Sequence, residues 1–170
     1  LFRSYSTQNH NTIDVVLSLN GIPVVALELK NQLTGQSVEN AKRQFMYDRD
    51  EKEFCFKFNN RFLVYFAVDL YEVAMTTHLQ GANTYFLPFN QGSNGAGNIG
   101  DGGNPECTDG YTTAYLWEYV LSPEMLLSIF QRYISKQTSE SISLVNGKKV
   151  TQKKTILIFP RYHQLDVVEK

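Results

Sequence analysis

At 170 residues, 42% of them hydrophobic and 13% aromatic, the chain is long enough to bury one substantial core and has a length usual for a single domain. No apolar run approaches the roughly 20 residues of a membrane-spanning helix, and Leu1-Phe2-Arg3-Ser4 opens no hydrophobic targeting core, so the expectation is a soluble cytoplasmic protein with no membrane partner. A formal net charge of −1 excludes whole-chain attraction to polyanions, and any contact with nucleic acid has to be local.

Asp14 to Leu19 and Ile22 to Leu29 are β-rich runs separated by Asn20-Gly21, a strong hairpin signal, and form two expected antiparallel strands. A polar loop, Asn31 to Gln36, leads to Ser37, which suits the N-cap of a helix reaching about Arg49. Val38, Ala41, Phe45 and Asp48 share one side of that helix, with Gln44 alongside. Arg61 to Val68 and Tyr71 to Thr77 are two further strands around a tight turn at Asp69-Leu70, which completes a β-β-α-β-β order. Lys30, Lys42, Arg43, Arg49, Lys52, Lys57 and Arg61 gather here, interleaved with Glu39, Asp48, Asp50, Glu51 and Glu53. A DNA-facing patch and an ordinary solvated surface both account for that mixture.

From Gln91 to Gly110 the composition turns to Gly, Asn and Asp, with seven glycines and almost nothing to anchor a core, which predicts a long mobile loop. The loop lacks the Gly-Lys-Ser/Thr ending of a phosphate-binding P-loop. Ser122-Pro123-Glu124 begins a helix expected to run to about Ser135, with Met125, Leu126, Ile129, Phe130 and Tyr133 as its apolar face. Four lysines lie between Lys148 and Lys154, ahead of a strand-like Ile156 to Phe159. Cys55 and Cys107 are too few for a disulfide scaffold and are taken as free thiols, Cys55 buried. His10, His78 and His163 have no metal-ligand spacing and belong to packing or surface. The missing initiator Met, and a helical segment still running at Lys170, suggest a piece of a longer protein.

The pattern that bears chemistry is Asp14, thirteen residues, then Glu28-Leu29-Lys30. Side chains alternate along a strand, so Glu28 and Lys30 share one face while Leu29 is expected to point into the core. Two carboxylates and an ammonium then converge. Mg²⁺ takes about six oxygen ligands near ~2.1 Å and keeps several waters, so Asp14, Glu28 and the backbone carbonyl of Leu29 suffice for it, with Mn²⁺ as a substitute. A lysine beside an attacking water can orient or deprotonate it for phosphodiester hydrolysis. A solvent-facing Glu and Lys on an edge strand are equally consistent with plain solubility. Val24, Val25, Ala26, Leu27 and Leu29 weigh against that, because they make the strand look buried on both faces, where an unneeded charge is expensive. A simple two-residue turn at Asn20-Gly21 would send Asp14 and Glu28 to opposite faces. The metal site therefore requires a three-residue loop or a bulge at Gly21.

Asp14-Val15-Val16-Leu17, Asn20-Gly21-Ile22-Pro23-Val24-Val25 and Leu27-Glu28-Leu29-Lys30-Asn31 resemble the nuclease motif of type I restriction enzyme R subunits, members of the PD-(D/E)xK nuclease superfamily. The resemblance continues through Thr34-Gly35-Gln36, Asp48-Arg49-Asp50, Val64 to Asp69, Met75-Thr76-Thr77, Phe86 to Asn90 and Thr113 to Glu118. It implies an α/β fold with a restriction-endonuclease-like core, a mixed central β-sheet flanked by helices. It also implies an Mg²⁺-dependent endonuclease that cuts double-stranded DNA after ATP-driven translocation by the rest of the subunit, in a prokaryotic complex with modification and specificity subunits.

By the same resemblance Asp14 and Glu28 are metal ligands, Lys30 is the catalytic lysine, and Gln44 belongs to a helix motif of Gln followed four residues later by Tyr. Position 48 is Asp here and the nearest tyrosine is Tyr47, so that motif is incomplete; Gln44 as a cap on a sheet edge is the plainer alternative. Phe159 to Asp166 resembles the lead-in to the family's helicase motor, which makes Gln164 the adenine-recognising residue when the motor is present. The implied division is an endonuclease domain over 1–155 and a motor lead-in over 156–170, with ATP used only by the full-length subunit. Two other functions compete: another nuclease of the superfamily, for repair or junction resolution, and a non-catalytic DNA-binding module.

Overall fold

The computed structural model describes residues 10–145 and 148–169. Its centre is a five-stranded mixed sheet in the order β1 (Val15–Leu19), β2 (Ile22–Leu29), β3 (Val64–Val68), β4 (Val73–Thr76) and β5 (Leu87–Pro88). β2 and β3 run parallel and every other neighbouring pair is antiparallel. A parallel pair needs a crossover, and helix α1 (Val38–Tyr47) lies in it. The expected β-β-α-β-β order is thus present.

The first hairpin departs from expectation in an instructive way. Its turn is a two-residue one, with Asn20 at φ 49° and Gly21 at φ 80°, the positive angles that a tight hairpin demands and that glycine adopts without strain. Leu19 pairs with Ile22 and Ser18 with Pro23, but Leu17 pairs with Val25 and Val15 with Leu27. Val24 is therefore the extra residue of a β-bulge. The expected one-residue shift exists, but it sits beside Pro23, whose missing N–H already interrupts the ladder, rather than at Gly21 or in a longer loop.

Alternation then divides the sheet into two faces. Val25, Leu27, Phe66, Val68, Val73 and Met75 meet Leu116, Val120, Ile129, Phe159 and Leu165 on one side. Ala26, Tyr65, Ala67 and Ala74 lie on the other, under Val38, Ala41 and Phe45 of α1. The three alanines leave room for α1 to come close, and Phe45, fully buried, contributes roughly 2–3 kcal/mol by its transfer out of water. Asp48, on the same side of the helix as those residues, is its C-cap and is exposed.

Two C-terminal segments differ from the sequence reading. Helix α2 (Pro123–Ser128) starts as expected, with Ser122 Oγ accepting the Met125 N–H and Pro123 in its first turn. It continues through a wide turn to Tyr133 and stops short of Ser135. There begins a two-stranded ribbon, β6 (Ser135–Val145) and β7 (Lys148–Ile158), of which only the end of the second strand was expected. Helix α3 (Tyr162–Glu169) follows.

The glycine-rich loop is also more organised than its composition suggested. Gly92 and Ser93 donate to the carbonyls of Gly103 and Asp101, and Asn104 joins the Gln91 N–H to the Tyr71 carbonyl. Polar side chains and paired backbone anchor it where apolar burial cannot. Both cysteines are free; Cys55 is half-buried, its thiol pushed up to about 11 chiefly by burial. Among the described residues no helix is long and apolar enough to cross a membrane.

Candidate metal and catalytic site

The bulge at Val24 sets the geometry of the site. With Val15 opposite Leu27, the ladder continues to place Asp14 across from Glu28, and residues directly opposite in an antiparallel pair share a face. Asp14 Oδ2 accepts the backbone N–H of Leu29 at 2.8 Å, which fixes the start of β1 against the end of β2. Asp14 is exposed and Glu28 is fully buried, so the pair forms a carboxylate lip with one wet and one dry member.

Glu28 is held on its inner side by Arg49, whose Nε donates to Oε1 at 3.0 Å and whose Nη2 donates to the same oxygen. Arg49 Nη2 also reaches the Thr12 carbonyl at 2.7 Å, so a single guanidinium ties the end of α1, strand β2 and the approach to β1 together. Glu28 Oε2 is buried with no hydrogen-bond partner. Burial raises the Glu28 carboxyl to about 7; Arg49 works against that shift and Asp14 adds to it. A buried carboxylate with an orphaned oxygen, next to a second carboxylate, is a donor set suited to a hard divalent cation, which would favour its ionised form.

Lys30 follows on the same face and donates through Nζ to Gln44 Oε1 of α1. Both are half-buried. Four of the sequence-derived candidates, Asp14, Glu28, Lys30 and Gln44, therefore gather between the end of β2 and α1. Leu29 does not enter the core: it is 44% exposed, and Leu27 is the last residue of β2 in the core cluster on that face. Gln164 lies apart on α3, exposed, with its Oε1 accepting the Arg161 N–H. Tyr47 is 64% exposed and has no described part in the cluster. Among the described residues no group of three or more His, Cys, Asp or Glu comes together, so two carboxylates make up the acidic set.

Arg49 is the member that sequence reasoning missed. The signal was available: a glutamate in a strand buried on both faces needs a counter-charge, and the end of the following helix is where a cation can reach it.

A family model described as the N terminus of the type I restriction enzyme R protein matches residues 3–84, a span that contains Asp14, Glu28, Lys30, Gln44 and Arg49. No curated protein and no solved structure matches the chain.

Proposed function

We propose, from the match of residues 3–84 to the family model of type I restriction enzyme R protein N termini, that the chain is the Mg²⁺-dependent endonuclease of such a subunit, built on a PD-(D/E)xK core. The observation that carries this reading is the Val24 bulge, whose register brings Asp14 beside Glu28, a residue whose Oε2 is buried without a partner. Asp14 and Glu28 hold the ion, Mn²⁺ being able to replace it, with the Leu29 carbonyl as a further oxygen. The ion, when bound, supplies Lewis-acid polarisation of the scissile phosphate. Lys30 presents its ammonium to the developing charge and orients the attacking water, and Gln44 holds the Lys30 side chain in place. Double-stranded DNA is the substrate. ATP belongs to the motor of the full-length subunit, with Gln164 at its threshold, and modification and specificity subunits complete the complex.

A second reading rests on Arg49: a guanidinium that already neutralises Glu28 suits a structural ion pair in a non-catalytic DNA-binding module. Calorimetric titration with Mn²⁺, combined with cleavage and ATP hydrolysis in the assembled enzyme, separates the two. The nuclease reading expects a cation to bind, the Glu28→Ala variant to lose both cation and cleavage, and ATP hydrolysis to survive. Failure to bind any cation, or cleavage by Glu28→Ala at the wild-type rate, overturns it.

A further inference from the structure

The ribbon formed by β6 and β7 is the feature that the proposed chemistry leaves unused. Its strands pair over eleven residues each, from Ser135 opposite Ile158 to Val145 opposite Lys148. It is attached at its base, where Thr77 Oγ1 donates to the Leu157 carbonyl at 2.7 Å and Leu157 is buried. Beyond the base, the described side chains from Ser135 to Ile142 and from Thr151 to Lys154 are exposed, on both faces. A two-stranded ribbon with no apolar face is marginal in water by itself, and each of its long edges leaves backbone groups unpaired.

Charge indicates what it meets. Residues 135–158 hold five lysines against one glutamate, whereas the whole chain is net −1, so the remainder of the protein is acidic. Glu140 is engaged by Lys153 at 2.7 Å, an exposed pair that contributes little to stability. Lys136, Lys154 and Lys149 stand at the base, the middle and the far end of the ribbon, opposite Leu157, Ser139 and Leu144. The residues between them are mostly Ser, Thr and Gln, which can donate to phosphate oxygens. Eleven residues span about 36 Å, close to one turn of B-DNA, and a two-stranded ribbon fits a major groove about 12 Å wide.

The ribbon is attached to the same sheet that carries the proposed site. Glu28 is level with Ala67 and Ala74 in the sheet; Thr77, just past the end of β4, lies three residues beyond Ala74, about 10 Å along toward the start of β2 and about 10 Å across two strands, and by alternation on the Val73 and Met75 face, opposite the face that carries Glu28.

We propose that the ribbon of β6 and β7 is a duplex-DNA contact that grips the phosphate backbone, with no base specificity. This rests on the reading that the chain acts on DNA. The test is binding of the full chain to a fluorescein-labelled duplex of mixed sequence, in EDTA so that nothing is cut, across about 50 to 200 mM salt. Changing Lys136, Lys149, Lys153 and Lys154 together to Gln should reduce the slope of log K against log salt by up to about 3.6, since each neutralised phosphate contributes roughly 0.9. Affinity at the low-salt end should fall tenfold or more, and the same four positions changed to Arg should retain it. Lys42→Gln with Lys52→Gln and Lys57→Gln removes charge elsewhere and should have little effect.

Unchanged binding by the four-Gln variant overturns the proposal, as does an equal loss in the control set. So does normal binding accompanied by self-association, because the lysines would then only guard the ribbon's edges. A wild-type chain that binds through the ribbon yet cuts nothing in the assembled enzyme leaves this inference standing and removes the nuclease reading. Normal cleavage with an indifferent ribbon does the reverse.

Discussion

Arg49 and Glu28 form an ion pair whose side chains are 2% and 0% exposed, and it joins the segment just after α1 to the end of β2, beside Asp14. Such a pair contributes less to stability than its Coulomb energy suggests, because both ions are desolvated, but removing one partner strands the other.

The first prediction follows from that asymmetry. Arg49→Met should destabilise the metal-free chain by about 3–5 kcal/mol, since Glu28 keeps its burial and loses its counter-charge. The double variant with Glu28→Gln should recover much of the loss. Urea unfolding in EDTA provides the double-mutant cycle, and strict additivity of the two single changes would show that the contact carries no coupling.

A pH dependence follows from the Glu28 carboxyl, raised by burial from 4.5 to about 7. Between those values the native state holds a proton that the unfolded chain has released, so stability falls as pH rises through this window and levels off above about 7. The change has an upper bound of about 3 kcal/mol. Thermal unfolding of the metal-free chain from pH 5 to 8 should show that decline, and Glu28→Gln should lack this part of it. Mg²⁺ favours the ionised carboxylate, so its addition should offset the decline at pH 8. A wild-type curve no steeper than that of Glu28→Gln would refute the argument.

How far the sequence reveals this site depends on how local each determinant is. Asn20-Gly21 encodes its own turn, Ser37 its own cap and Glu28-Leu29-Lys30 its own alternation, so the strands, α1 and the acidic set were legible. The shift that aligns Asp14 with Glu28 was required by pattern, but its location at Val24 depends on how Pro23 disrupts the ladder with Ser18, a pairing between strands that the local run does not display. Arg49 acts on Glu28 across 21 positions, so the signal for it lies in the counter-charge that a buried Glu28 needs and not in its own neighbourhood. The ribbon hid for a different reason. Ser, Thr, Gln and Lys in strands exposed on both faces give no apolar alternation to detect.

Asp69 supplies a prediction about architecture rather than chemistry. It is 4% exposed, and its carboxylate accepts the N–H groups of Val38, Tyr71 and Glu72 together with Gln32 Nε2. It therefore fixes the turn into β4, the start of α1 and the loop after Lys30 at once. Asp69→Ala strands buried donors and should cost about 2–4 kcal/mol. Mn²⁺ affinity, measured well below the lowered melting temperature, should stay within twofold of wild type. A large drop in affinity would instead place Asp69 in the metal site.

The last prediction separates the roles within the cluster. Asp14 and Glu28 supply oxygens, so Asp14→Asn should weaken Mn²⁺ binding and reduce cleavage together, with part of the rate restored at high metal concentration. Lys30 supplies charge to the reaction and not to the resting ion, so Lys30→Ala should leave metal affinity within a few-fold. Its cleavage rate should fall about a hundredfold or more, the usual loss when a contact made chiefly in the transition state is removed. Gln44 acts only through Lys30 Nζ, which makes it a positioning residue. Gln44→Ala frees that ammonium to sample other rotamers and should lower the rate by about tenfold, with metal affinity unchanged. Gln44→Glu keeps the acceptor, adds a charge that holds Lys30 more firmly, and should likewise lower the rate without weakening the metal. Single-turnover cleavage in the assembled enzyme, compared with calorimetry of the same variants, distinguishes these outcomes. If Gln44→Ala and Lys30→Ala together cost the product of their separate losses, Gln44 acts independently of Lys30; a double variant no slower than Lys30→Ala alone is the expected result.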